Sequence, residues 1–431
     1  MTFALLLPLV ALSQNGRTLG VEEAVQLALK QSPQLHGVEL RREAALAQAD
    51  SLRGRMLPLI ALSEEWDRYA PLPDGPSNGN FQFAFPGFPA PFVVRAGITN
   101  TFAASVTQPL LSLFRTFEER ASAATSAEAT AEAGRAVEAG VREAVESGYL
   151  RYFEAKAAED IALTSQQQLE EQAQLVTARL KAGTATNADK LRLEVAISNA
   201  KLQRIQAQAQ EQSVRTALLL AMGLTSTEDV TLRQPTELEQ RPLPKLTEAE
   251  AVDTAAAKRP EIAQAMKTHE AASQHARASY LALLPDLSVD GVYTNLKGQV
   301  FAPPDQYYVG LKASWPIWEW GATFFAARSA DKQAQAAAAD LDQQALNVKS
   351  EASGRWVQAQ AAAAAIDAAQ TSIASAEEAY RVMQALVNAG SATTTDLLDA
   401  QSSLTQAKLN LVRARYEQAL ALVALQKALG G

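Results

Sequence analysis

The sequence predicts a mainly α-helical fold that is internally duplicated and that adds four β-strands per chain. Three observations predict this class. Residues 110–234 contain no proline and are dominated by Ala, Glu, Gln, Leu and Arg, which favour helices. Prolines, glycines and an aspartate recur at constant separations, which indicates two copies of one pattern. Four runs of about ten residues alternate apolar and polar side chains, as strands with one exposed polar face do.

The duplication is visible in matched residues. The matched pairs are Pro33 with Pro260 and Pro58 with Pro285, each 227 positions apart, then Pro109 with Pro316, Gly183 with Gly390 and Asp189 with Asp396, each 207 apart. One insertion of 20 residues between residues 58 and 109 explains the single change in separation. Chance similarity between Ala-rich helices would explain the Ala content but not these constant separations.

The duplication also predicts the organisation of the chain. Its segments are residues 1–14 as a secretory signal peptide, 15–222 as the first repeat, 223–246 as a connector with one short strand, and 247–431 as the second repeat. Each repeat holds a helix, a β-hairpin (about 57–109 and about 285–318) and a long helix pair. The expected helices are about 20–56, 115–181, 187–222, 247–283, 325–388 and 394–428. A buried N-terminal strand is the alternative to the signal peptide, because no Lys or Arg precedes its apolar run.

The predicted helices are too long for a compact globular core. At 1.5 Å per residue, the helix at 115–181 spans on the order of 100 Å, which indicates an extended helical assembly. No segment after the N-terminal one has the roughly 18 uncharged apolar residues that a membrane-spanning helix needs. Any contact with a membrane would therefore need another route.

The alternating strands and their tryptophans favour a transmembrane β part. Tyr307, Val309 and Leu311 fall on one face of their strand, and the other face is more polar. The tryptophans in or beside such runs, typical of a membrane-interface girdle, are Trp66, Trp315, Trp318 and Trp320. The alternative is a soluble four-stranded sheet packed on the helices. Four strands cannot close by themselves, which favours closure shared among subunits.

The sequence offers no catalytic, cofactor or metal site. It has no Cys, so thiolate zinc sites and Cys nucleophiles are excluded, and its three His residues (His36, His269 and His275) show no ligand spacing. Gly-rich phosphate loops and nucleophile elbows are also missing. A net charge of −8 gives no basic footprint for nucleic acid. We therefore expect a protein that is not an enzyme and binds no cofactor and no nucleic acid.

The chain resembles the TolC family of outer-membrane efflux proteins. The resemblance covers nearly the whole chain after the signal and includes "LGVEEAVQLALKQSPQL" and "AGSATTTDLLDAQSSLTQAKLNLVRARYEQALALVALQKALG". It implies a homotrimer, with a twelve-stranded β-barrel in outer-membrane lipid and a helical barrel, belted by residues 223–246, that forms a tunnel across the periplasm. The tunnel itself would conduct substrates passively, and an inner-membrane transporter would supply the energy for export. A periplasmic adaptor (membrane fusion protein) would dock on the turns at Gly183–Thr184 and Gly390–Ser391.

The resemblance also implies roles for three aspartates. Asp396 and Asp399 match the acidic ring at the family's periplasmic entrance, and Asp189 matches a residue that helps to lock it. Other members tie this gate with an Arg and a Tyr, at positions that are Ala392 and Val387 here, so the same locking bonds cannot form.

The residues themselves suggest a second role for two of these aspartates. Thr186–Asp189 and Thr393–Asp396 both fit a capping box, so helix capping and pore lining stay open for Asp396. The counterpart of Asp399 is Arg192, which makes Asp399 the sharper candidate for the ring. Two other function classes stay open: a helical-bundle tether without a pore and, more remotely, an acidic metal-binding module.

Overall fold

A computed structural model describes residues 17–73, 75–87, 89–225 and 230–431, so the predicted signal peptide at residues 1–14 lies outside the described residues. In chain order the elements are β1 (Arg17–Leu19), α1 (Val21–Gln31), α2 (Pro33–Gly54), β2 (Leu59–Arg68), β3 (Phe81–Phe83), β4 (Phe92–Pro109), α3 (Ser112–Lys181), α4 (Asn187–Ala221), β5 (Val230–Leu232), α5 (Thr236–Glu239), α6 (Glu248–Lys258), α7 (Pro260–Leu281), β6 (Asp286–Gln299), β7 (Asp305–Ser314), α8 (Ala322–Asn388) and α9 (Thr394–Ala428).

The chain divides into two compact units. The helical unit comprises the described residues within Met1–Gly37, Ala133–Ile262 and Ala345–Gly431, and the sheet unit comprises those within Val38–Glu132 and Ala263–Gln344. Among the described residues, no helix combines the length and the apolar character needed to cross a membrane.

Each repeat opens with two helices where the sequence analysis predicted one. The expected helices at 20–56 and 247–283 are broken at Ser32 and Arg259, whose backbones are extended, with ψ of 114° and 124°. The residue that follows each break is a proline, which disfavours the helical conformation in its predecessor and fits the first position of a new helix. The prolines that reveal the duplication therefore also split its first helix, and the prediction of one continuous helix was wrong.

The long helices lie where the sequence predicted them. Helices α3 and α8 contain 70 and 67 residues, and α4 and α9 contain 35 residues each. All eight ends fall within about three residues of the expected ones, which is the usual error of helix boundaries predicted from a sequence. The absence of interior prolines permits helices of this length.

The core of the helical unit is built around Tyr149 of α3, which is completely buried. Its hydroxyl lies 2.8 Å from the Leu19 carbonyl oxygen and 2.5 Å from that of Arg233. Leu19 ends β1 and Arg233 directly follows β5, so both carbonyls lie at one end of the small parallel sheet of these two strands. Burial raises the pKa of the Tyr149 hydroxyl to about 12, so it stays protonated and serves as a hydrogen-bond donor. The connector's short strand is β5, and a single helical turn, α5, follows it.

The sheet unit carries an antiparallel sheet in the order β2-β4-β6-β7, with β3 also paired to β4. The four long strands lie in the two segments where hairpins were expected, although β4 begins at Phe92 and so extends further into the insertion than the expected strand. Strand β3 was not predicted. It lies in a loop held against β4, where the Gly97 backbone N–H donates to the Asn80 side-chain oxygen at 2.7 Å. A Cβ at Gly97 would overlap the Asn78 carbonyl, so this close approach requires glycine.

Candidate functional site

The two helix hairpins, α3–α4 and α8–α9, end in equivalent turns, here called the tip turns. Gly183 and Gly390 adopt φ of 78° and 75°, in the left-handed region. The Thr184 N–H donates to the Arg179 carbonyl and the Ser391 N–H donates to the Leu386 carbonyl, both at 2.9 Å. This arrangement is the common glycine-terminated helix end. A Cβ at either glycine would meet nothing within 4 Å, so the backbone conformation, not crowding, selects glycine.

Asp189 and Asp396 begin the second helix of each hairpin through a capping box. The Asp189 carboxylate accepts from the Thr186 backbone N–H at 3.0 Å and from its hydroxyl at 2.6 Å. The Asp396 carboxylate accepts from the Thr393 N–H at 2.9 Å and from its hydroxyl at 2.7 Å. In both, the threonine hydroxyl bond and then the backbone N–H bond lower the pKa of the aspartate. The capping prediction is therefore confirmed for both residues.

Asp399 differs from Asp396 although it lies three residues away on the same helix. Its side chain is exposed, and no hydrogen bond or ion pair reaches it from the part of the chain that the structure describes. Helix α9 thus presents one carboxylate engaged in capping and one that is free to interact with ions or with another molecule.

Contacts between the two hairpins, which sequence reasoning missed, flank the tip turns. Arg179 of α3 donates to the Val387 carbonyl at 3.3 Å and to the Asn388 side-chain oxygen at 2.8 Å. Arg192 of α4 donates to the Thr395 hydroxyl at 3.1 Å. Their counterparts 207 positions later are Leu386 and Asp399, so neither cation is repeated. The absence of these two cations from the second copy was the feature of the sequence that could have pointed to the contacts.

The strand register collects apolar side chains on one face of the sheet. In the rows that the paired strands form, this face carries Ile60, Leu62, Ala104, Val106, Val289, Tyr293, Tyr307, Val309 and Leu311. Several are highly exposed, including Ile60 at 72% and Val309 at 80%. The opposite face carries mostly Ser, Thr and charged side chains, such as Ser105, Asp290 and Lys312. A contiguous apolar surface of this kind needs a lipid or protein cover.

Aromatic side chains lie at both ends of that face. Trp66 belongs to the row of Asn100 and Lys297, whereas Trp315 directly follows the opposite end of β7. Trp66, Trp315, Trp318 and Trp320 are all exposed, and the rings of Trp318 and Trp320 meet edge to face at 5.5 Å. Four exposed phenylalanines, which the sequence did not point to, lie near the starts of α3 and α8. They are Phe114, Phe117, Phe324 and Phe325.

Metal-ligating side chains do not cluster in the part of the chain that is described: no group of three or more His, Asp or Glu residues could hold an ion there. His269 is half-buried. Its Nδ1 lies 3.1 Å from the Ala334 carbonyl oxygen. This contact joins α7 to α8 and gives His269 a structural role.

Solved outer-membrane channels share the fold of this chain, with its long helix hairpins and its sheet. CusC, whose structures describe transmembrane channel formation, aligns with a TM-score of 0.84 at 19% identity, over 98% of this chain and 96% of its own. The open state of the Neisseria gonorrhoeae MtrE outer membrane channel aligns with a TM-score of 0.79 at 19% identity, over 95% and 89%.

The chain belongs to the outer membrane efflux protein family, whose model matches residues 24–224 and 251–431. A curated relative, the outer membrane efflux protein BepC of Brucella suis biovar 1, is 24% identical over 335 residues, which is 77% of this chain and 72% of the relative. The predicted fold class, outer-membrane location and role as an efflux channel-tunnel are confirmed. Because the family consists of channels, the expectation that the protein is not an enzyme is confirmed as well.

Proposed function

We propose that three copies of this chain assemble into an export duct, with their sheets closing into a twelve-stranded β-barrel. The single observation that carries this proposal is the state of the sheet in one chain. Strands β2 and β7 are its outer strands, unpaired on their far sides among the described residues, and its apolar face is exposed. Free edges and an uncovered apolar face are both unfavourable for an isolated chain in water. Closure with neighbouring copies and insertion into lipid would remove both.

The aromatic rows support the membrane position of the sheet. Trp66 shares a row with Lys297, and Trp315 follows Ser314, the partner of Asp286. The rows of Trp66 and Trp315 are therefore separated by about twelve residues of β6, or roughly 40 Å along the strand. At the tilt of about 40° usual for such barrels, it corresponds to roughly 30 Å across the membrane. That distance matches the thickness of the hydrocarbon layer.

The tip turns would form the periplasmic entrance of the duct and the docking site of the adaptor. Gly183, Thr184, Gly390 and Ser391 are all exposed, as a docking surface requires. Three copies of Asp399 around one axis would form an anionic ring, with Asp396 and Asp189 close by on the helix starts. Like charges held together in a narrow passage attract cations. An inner-membrane transporter would supply the energy, and the duct would conduct passively.

The experiment is extraction of the outer membrane, electrophoresis of heated and unheated samples, and recording in planar bilayers. A heat-labile trimer that conducts ions is the expected result. A chain found as a monomer in the soluble periplasmic fraction, with no conductance, would contradict the duct and favour a helical tether without a pore.

A second experiment tests the docking of the adaptor at the tip turns. A thiol-reactive cross-linker attached to the Ser391→Cys variant should capture the adaptor. The chain has no other cysteine, so the label is specific.

A further inference from the structure

We propose that one end of the sheet binds a phosphorylated glycolipid, with Arg68 and Lys297 on its phosphate and Trp66 against its sugar. Each of the four long strands joins a helix at one end of the sheet, and the hairpin loops lie at the opposite end, here called the outer end. The site lies at the outer end, on the face that carries the apolar side chains. It depends on the proposed position of the sheet in the membrane and adds a specific ligand to that surface.

Charged side chains on this face are confined to the outer end. Glu64 and Asp305 share one row of the paired strands. Lys297 lies in the next row outward, together with Trp66, and Arg68 lies one row further out. From the row of Glu64 inward to the helices, the same face of these fully described strands carries no other charged side chain. The charge is therefore placed at the boundary of only one leaflet.

The two carboxylates of the outer end are held by neutral side chains of the same face. The Asn100 amide donates to the Glu64 carboxylate at 3.0 Å. The Asp305 carboxylate accepts from the Tyr293 hydroxyl at 2.7 Å and from the Asn295 amide at 2.8 Å. Each carboxylate thus has partners of its own, and neither forms an ion pair with a cation of this end.

The two cations of the outer end are free and close enough to share one ligand. Arg68 and Lys297 are exposed, and among the described residues neither has a side-chain partner. They are two strands and two residues apart, which separates their main chains by roughly 12 Å. Their long side chains can converge on one group between them. Arginine offers a fork of donors that fits phosphate and lysine adds a compact charge, so the pair suits an anionic headgroup.

Trp66 and the asymmetry of the charges favour a glycolipid over an ordinary phospholipid. The indole of Trp66 is 69% exposed, and it offers a flat apolar surface and an N–H donor beside Lys297. A sugar ring has both the C–H face and the hydroxyl oxygens that such a group contacts. At the helix end the face finishes at Trp315 with no cation in the strands. Outer membranes carry phosphorylated glycolipid in the outward leaflet and ordinary phospholipids in the inward one, which matches this asymmetry.

The test titrates lipid A, a phosphorylated disaccharide lipid, into the purified full-length trimer in neutral detergent and counts bound lipid by native mass spectrometry. Arg68→Gln and Lys297→Gln should each weaken binding about fivefold, and the double variant at least about tenfold. The matched control is Lys312→Gln, which removes an exposed cation from the opposite face of the same sheet and should bind lipid A like the wild type. Equal binding by the wild type and the double variant would overturn the site.

Other ligands separate the phosphate from the sugar and the lipid from a free anion. Lipid A without its phosphates should bind the wild type as weakly as lipid A binds the double variant. Equal binding of the two lipids would overturn the site even if the variants failed to assemble. Trp66→Leu should weaken binding of lipid A but not of phosphatidylglycerol, and an equal loss for both would overturn the sugar contact.

Two further outcomes distinguish this site from the duct. Inorganic phosphate that displaced lipid A would indicate a site for free anions and overturn the lipid ligand. A wild type that conducts as a trimer but retains no lipid A would overturn the site and leave the duct intact. A wild type that never forms a conducting trimer would instead overturn the duct.

Discussion

The Thr393 hydroxyl and backbone N–H both donate to the Asp396 carboxylate, at 2.7 Å and 2.9 Å, and so occupy an aspartate that the family resemblance assigns to the entrance. Asp399 has no such bonds within the described residues. The two aspartates are therefore separable by mutation. One of them starts a helix, whereas the other is free to act on ions.

Asp399→Asn should weaken cation preference and block by multivalent cations without altering the tip helices. The reason is that the substitution removes three charges from the proposed ring and no hydrogen bond. Single-channel recordings in asymmetric salt, with and without a multivalent cation, measure both effects. Thr393→Ala is the matched control, because it should fray α9 by about 1 kcal/mol and keep both carboxylates. Unchanged selectivity in Asp399→Asn would remove this residue from the ring.

The capping boxes predict that the tips loosen in acid. Hydrogen bonds from threonine hold the pKa of Asp189 and Asp396 below its ordinary value. A depressed pKa means that the contribution to stability is complete above the ordinary value, near pH 4, and is lost as pH falls through the lower folded value. Protection of the amides in the first turns of α4 and α9, expressed relative to the intrinsic exchange rate at each pH, should therefore fall below about pH 4. The Thr186→Ala and Thr393→Ala variants should show low protection both above and below this pH, and a wild type with equal protection on the two sides of it would contradict this assignment.

The tip-turn glycines should tolerate no ordinary side chain even though space is available. Gly183→Ala forces φ of 78° on an L-residue, which costs about 1–2 kcal/mol. Local hydrogen exchange at residues 180–184 is the measurement, since an exposed turn opens without global unfolding. Gly140→Ala in the interior of α3, where a Cβ also meets nothing within 4 Å, is the control and should instead stabilise its helix. Equal effects at the two sites would show that conformation is not what selects glycine at the tip.

Elements that local chemistry decides could be predicted from the sequence, whereas contacts between distant segments could not. Helix α3 follows from a proline-free run, and the cap at Asp189 follows from its T-x-x-D spacing. The break before Pro33 was also a local signal, but the proline was used only as a marker of the repeat. The Arg179–Asn388 bond joins residues 209 positions apart. Which residues form this bond depends on how the two hairpins align, and no local sequence pattern contains that information. The only signal in the sequence was that the cation at Arg179 is not repeated in the second copy.

The apolar face of the sheet gives a prediction about the membrane itself. Val309 lies on that face in the row of Val106 and Gly291, well between the aromatic ends. Arginine at this depth costs about 2–4 kcal/mol when the residue faces lipid. Val309→Arg should therefore reduce the amount of trimer in the outer membrane and lower its dissociation temperature. Thr294→Arg is the control, because its half-buried side chain lies on the opposite face and would point into the barrel. If Thr294→Arg were the damaging substitution and Val309→Arg harmless, the lipid-facing and lumen-facing sides of the sheet would have to be exchanged.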